Sequence, residues 1–127
     1  MNNTIFYSWQ SDLPNASNRG FIESCLKKAC KKISKAKIFV ADISIINSDY
    51  DGRKCPNPNV LLELGYASRF FGWGKIFCFY NLDYGSFDDL PFDLKQRRPI
   101  TYSLEGKDKA EVREILSKTI AELTCPQ

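Results

Sequence analysis

Three apolar runs limit what this chain can fold into. Lys37-Ile-Phe-Val-Ala-Asp-Ile43 and Lys75-Ile-Phe-Cys-Phe-Tyr-Asn81 are nearly continuous in apolar residues, and Thr4-Ile-Phe-Tyr-Ser-Trp9 is rich in β-branched and aromatic ones. Runs of the continuous kind belong to strands buried on both faces, which requires a parallel sheet covered by helices. Between them the apolar period changes to that of a helix. Phe21, Ile22, Cys25, Leu26, Ala29, Cys30 and Ile33 follow Asn18, a suitable N-cap. A second helix is expected from about Pro58 to Phe71, with Val60, Leu61, Leu64, Ser68 and Phe71 on its apolar stripe and Gly72-Trp-Gly74 as its stop. After an irregular acidic loop, Leu82 to Asp93, come a strand near Ile100 to Leu104 and a helix through Val112, Ile115, Leu116, Thr119, Ile120 and Leu123. The expected fold is α/β, a parallel sheet of four strands with helices on both faces, right-handed crossovers and the Thr4 strand central. With no repeat or linker in its 127 residues, residues 1–127 form one domain.

Composition removes whole classes of chemistry. The chain has no histidine, so it can supply neither a Ser-His nor a Cys-His nucleophile pair, nor a histidine-ligated metal. Its five cysteines, at 25, 30, 55, 78 and 125, form no C-x-x-C pair. Cys25 and Cys78 lie inside apolar patterns as small hydrophobes, a usage that fits a reducing cytoplasm. No metal site is expected. A net charge of +3 is too small to argue for nucleic acid, and the lysines at 27, 28, 31, 32 and 35 read as a solvated helix face. No signal peptide is visible, and no apolar run approaches the roughly 18 residues that span a bilayer. Neither G-x-G-x-x-G nor G-x-x-x-x-G-K-[ST] occurs.

In an open α/β sheet, ligands bind beyond the carboxyl ends of the strands. Three features fall there: Ser8-Trp9-Gln10-Ser11-Asp12, Asp42 with Ser44, and the loop that enters the second helix. Asn57 caps that helix and Pro58 takes its first position. Glu63 follows in the second turn, with Asn59 a turn before it and Tyr66 a turn after it. By helical geometry Glu63 borders the apolar stripe, where a carboxylate can be partly desolvated and still reach a ligand. The same position suits a solvated residue complementing the helix dipole, and on spacing alone that reading leads. Hydrolysis of an ordinary glycoside takes two carboxylates, one a proton donor. The nicotinamide–ribose bond of NAD needs only one, because nicotinamide departs neutral from a cationic ring. Asp42 either orders the loop beneath such a site or bonds a ribose hydroxyl. Ser8 and Ser11 can bond phosphate or ribose, and Trp9 either stacks on a ring or belongs to the core. Arg19, Arg53, Arg97 and Arg98 are unranked pyrophosphate partners.

Phe6-Tyr-Ser-Trp-Gln-Ser-Asp12 resembles the first conserved box of TIR (Toll/interleukin-1 receptor) domains. Ala41-Asp-Ile-Ser44 and Asn57-Pro-Asn-Val-Leu-Leu-Glu-Leu-Gly-Tyr-Ala67 resemble stretches of bacterial TIR-like proteins, as do Leu90-Pro-Phe-Asp-Leu94 and Arg97-Arg-Pro-Ile-Thr-Tyr-Ser103. The resemblance implies a flavodoxin-like fold and an enzyme that consumes NAD as substrate, as a glycohydrolase or cyclase in anti-phage signalling. It implies Glu63 as the catalytic residue and Tyr7, Ser8, Trp9 and Asp12 as lining of the nucleotide pocket. It further implies a homo-oligomer or filament and a partner defence protein. One departure stands out: the family carries a further strand and helix between the first helix and the Ile38 strand, and here Ala29 to Ile38 runs straight through. A nucleoside 2-deoxyribosyltransferase is the other enzyme family that the Glu-Leu-Gly-Tyr-Ala stretch resembles, and a non-catalytic self-association module is the third alternative.

Overall fold

The computed structural model describes residues 4–31 and 37–124. Strands β1 (Thr4–Ser8), β2 (Lys37–Asp42), β3 (Ile76–Asn81) and β4 (Ile100–Tyr102) form one all-parallel sheet in the order β1-β2-β3-β4. Its register sets Phe6 beside Phe39, Ala41 beside Cys78 and Tyr80 beside Thr101. Because neighbours on a strand point to opposite faces, the sheet divides the core in two. Ile38, Val40, Phe77, Phe79 and Tyr102 pack with α1 (Arg19–Cys30) and α4 (Lys109–Thr124). Phe39, Ala41, Ile76, Cys78 and Tyr80 pack with α2 (Pro58–Phe71), and Leu90 closes that side. The result is the expected three-layer, flavodoxin-like α/β arrangement with four strands.

Helix α2 forms where its caps predict. The Asn57 side chain accepts from the backbone N–H groups of Asn59 and Val60 at 2.8 and 3.2 Å, and Pro58 stands where no N–H is needed. At the far end Gly72 takes a φ of 72°, which a side chain would resist. The acidic loop is more ordered than expected. It holds a turn of 3₁₀ helix at Phe87–Asp89 and leads into the short α3 (Phe92–Lys95).

Several expectations are corrected. Strand β1 is an edge, not the centre: its apolar residues reflect faces covered by helices, and hydropathy carries no information about lateral position. Asn18 does not cap α1; it is fully buried and its amide is spent elsewhere. The buried stripe of α2 is Val60, Leu64 and Ala67, which leaves Leu61, Ser68 and Phe71 at its margin. On α4, Ile115 and Leu123 are exposed while Ser117 is buried. Helix α1 ends at Cys30, and Ile33 and most of the junction where the resemblance implied a missing segment lie outside the described residues.

The right-handed crossover rule also fails once. The chain steps the same way across the sheet each time, yet α1 covers one face while α2 covers the other. Two such units must have opposite hands. The β3-to-β4 connection places Leu90 and Leu94 on the α2 face, so α1 is the odd member. With right-handedness holding for the two that agree, β1–α1–β2 is the left-handed unit, a rare arrangement.

Candidate functional site

The carboxyl ends of β1 and β2 are organised from below by a buried polar network. Asp42, fully buried at the end of β2, accepts from the side-chain amides of Gln10 and Asn18, each at 2.9 Å, and from the backbone N–H of Ser44 at 3.1 Å. Asn18 also donates to the Ser44 hydroxyl, and its carbonyl accepts from the Asn81 amide. Ser44 Oγ in turn accepts from the backbone N–H of Asn81. A buried carboxylate is tolerated only when its lone pairs are met, and here three donors meet them. Asp42 therefore orders the loop after β1. Being fully buried, it does not present its carboxylate to a ribose. Gln10 completes the arrangement by accepting from the N–H groups of Asp12 and Leu13, which bends the chain away from the strand. The sequence points to Gln10 only as part of the loop after β1 and to Asn18 only as a helix cap; Asn81, a polar residue closing the apolar run of β3, is the signal that could have found the network.

Above this network lies the candidate site. Ser8, buried at the end of β1, donates its hydroxyl to Glu63 Oε1 at 2.8 Å. Glu63 itself is exposed rather than half-buried, because α2 runs along an edge strand with nothing beyond it among the described residues. Asn57 uses its amide to donate to Asp12 Oδ2 at 2.7 Å while its carbonyl caps α2. The loop after β1 and the start of α2 are thus joined twice, through Ser8–Glu63 and Asp12–Asn57. Glu63 also borders an apolar groove of about 660 Å³ lined by Phe6, Phe39, Tyr66 and Phe70.

The remaining predicted residues are divided. Tyr66 is exposed on α2, its ring centroid 4.9 Å from that of Phe70. Asn59 is exposed beside the cap. Tyr7 and Trp9 line a separate hollow on the α1 side, together with Arg19. The Tyr7 hydroxyl donates to the Arg19 carbonyl at 3.3 Å, and burial, followed by the carboxylate of Asp42, pushes its pKa above the ordinary tyrosine range. Trp9 is half exposed, with the Arg19 guanidinium 3.5 Å from its ring centroid, a cation–π contact. Adjacent strand residues face opposite ways, so the side chains of Ser8 and Tyr7 project from opposite faces of the sheet.

Cys25 and Cys78 are the buried hydrophobes expected, and burial pushes their thiols up to about 11 and about 12. Among the described residues, no group of His, Cys, Asp or Glu could hold a metal ion, and no helix is long and apolar enough to cross a membrane. Compared with known proteins, the chain matches no family model, no curated protein and no solved structure.

Proposed function

We propose that this chain is a TIR-like, NAD-consuming enzyme whose single catalytic carboxylate is Glu63. The observation that carries the reading is the 2.8 Å bond from Ser8 to Glu63. It joins two segments whose sequences resemble TIR motifs, at the carboxyl end of β1, the end of the strands where α/β sheets bind ligands. In the reaction the bond between the ribose anomeric carbon and the pyridinium nitrogen breaks. Its electron pair neutralises the ring, and nicotinamide leaves. Glu63 stabilises the positive charge that develops on the sugar. Water then adds to the anomeric carbon and releases a proton, giving ADP-ribose, or a nucleophile on the adenine closes a cyclic product. Ser8 orients the carboxylate, and Asn57, held by Asp12, fixes the helix that carries it. Trp9 and Arg19 stand on the other side of β1, where a guanidinium can meet phosphate. Self-association, a partner defence protein and a cytoplasmic role in anti-phage signalling belong to the same proposal.

The test is nicotinamide release from NAD at high protein concentration. Glu63→Gln keeps the shape of the side chain and removes its charge, so turnover should fall by at least about 10²-fold, the scale for losing one preorganised electrostatic contact. Unchanged release in that variant would remove Glu63 from the mechanism. Base exchange on deoxynucleosides without loss of NAD would instead assign the site to deoxyribosyl transfer.

A further inference from the structure

Strand β1 is an unguarded edge. Natural sheets protect such edges with charge, proline or bulges, and Thr4-Ile-Phe-Tyr-Ser8 carries none of these. Among the described residues nothing pairs with its outer side. The edge is also apolar beyond the strand. Phe6 is 46% exposed, and on α2 the residues Leu62, Tyr66 and Phe70 are 75%, 71% and 68% exposed. Spaced by four, these three form one stripe along the helix. It flanks the groove that opens beside Phe6.

We propose that this face binds a second copy of the chain, with β1 pairing antiparallel to β1 across a twofold axis at Phe6. The proposal does not rest on the catalytic reading of Glu63. The strand is complementary to itself in that register. Phe6 meets Phe6, Ile5 meets Tyr7 and Thr4 meets Ser8, which are the aromatic, aromatic–β-branched and hydroxyl pairs that stabilise antiparallel ladders. The helices fit as well. Helix α2 lies over β1 and β2. With strands about 4.8 Å apart, a twofold at the β1 edge sets α2 and its copy roughly 10 Å apart, within the usual spacing of packed helices. The two helices then run antiparallel, Tyr66 near the axis, Leu62 of one copy facing Phe70 of the other. Taking roughly 150–250 Å² for a whole aromatic side chain, Phe6, Leu62, Tyr66 and Phe70 offer about 500 Å² per copy. Two copies then bury about 1,000 Å² before any main chain is counted, which reaches the size of a specific interface. The mixed eight-stranded sheet so formed has no exposed β1 edge.

Light scattering coupled to gel filtration, on a protein tagged only at its C-terminus, tests this. The expected mass is twice the 14.6 kDa of the chain. Leu62→Lys and Phe70→Glu each alter a side chain that is exposed in the monomer, so both should fold with unchanged circular dichroism and run as monomers. Combining them places lysine opposite glutamate across the axis and should restore at least about tenfold of the lost association, the scale of 1.4 kcal/mol. Asp12→Ala, at a residue outside the groove, should leave the mass unchanged while lowering nicotinamide release, which separates this proposal from the catalytic one. A monomeric wild type at 100-fold dilution steps up to the solubility limit overturns the proposal. So does a dimer that survives both single substitutions, or a double variant no more associated than the singles.

Discussion

At Asp42 a single buried carboxylate accepts from two side-chain amides and a backbone N–H. Asp42→Asn keeps the volume but offers an amide where Gln10 and Asn18 already donate. With a buried donor left unmet the expected loss is about 2 kcal/mol, measured as a lower urea midpoint with little change in slope. The position of Asp42 at the end of a buried strand was legible in the sequence. Its burial was not, because the residues that cover it come from the loop after β1 and from Asn18, whose apparent role was a helix cap. Glu63 shows the converse. Spacing placed it in the second turn of α2 beside the apolar stripe, and the structure keeps it there. What spacing could not supply was the Ser8 hydroxyl, 55 positions away, or the exposure that follows from lying over an edge strand.

Among the elements, α2 is specified most completely by its own residues. Asn57 serves it twice, as cap and as the anchor of Asp12. Asn57→Ala should cost about 1 kcal/mol as a lost N-cap. Because Asn57→Ala also releases Asp12, nicotinamide release should fall as well, whereas Asp12→Ala, which leaves the cap intact, should lower release with a smaller effect on stability. The junction of β3 with β4 depends instead on Asp83. Burial works against its carboxylate, but hydrogen bonds from the Ser103 hydroxyl and the N–H groups of Leu104 and Glu105, with Lys107 nearby, hold its pKa below the ordinary value of 3.8. A carboxyl depressed in the folded state stabilises above its unfolded pKa and loses that contribution as the pH falls through the folded one. Melting temperature should therefore drop on acidification below about pH 4, and Asp83→Asn should flatten that part of the profile. The loop sequence announced acidity, but the bonds to Asp83 come from residues 20 to 22 positions later, beyond the reach of local pattern.

For the molecule as a whole, the two faces of the sheet and its open edge matter most. A dimer through β1 makes unfolding depend on protein concentration, so the melting temperature should rise with concentration for the wild type and stay fixed for Phe70→Glu. The left-handed β1–α1–β2 unit bears on the same edge, because a right-handed crossover through α1 would have carried the chain to the side of β1 that is now open. By itself the sequence determined the alternation of strands and helices, the parallel sheet, the caps of α2 and the place of Glu63 in its second turn. These depend on residues near one another in the chain, whose periodicity and local hydrogen bonding leave few choices. Only the tertiary structure decided that β1 is an edge, that Tyr7 and Ser8 serve opposite faces, that Asp42 is sealed beneath the loop, and that Leu62, Tyr66 and Phe70 are bare. Each of those depends on which strand lies beside which, and hydropathy reports the covering of faces without recording the order of strands.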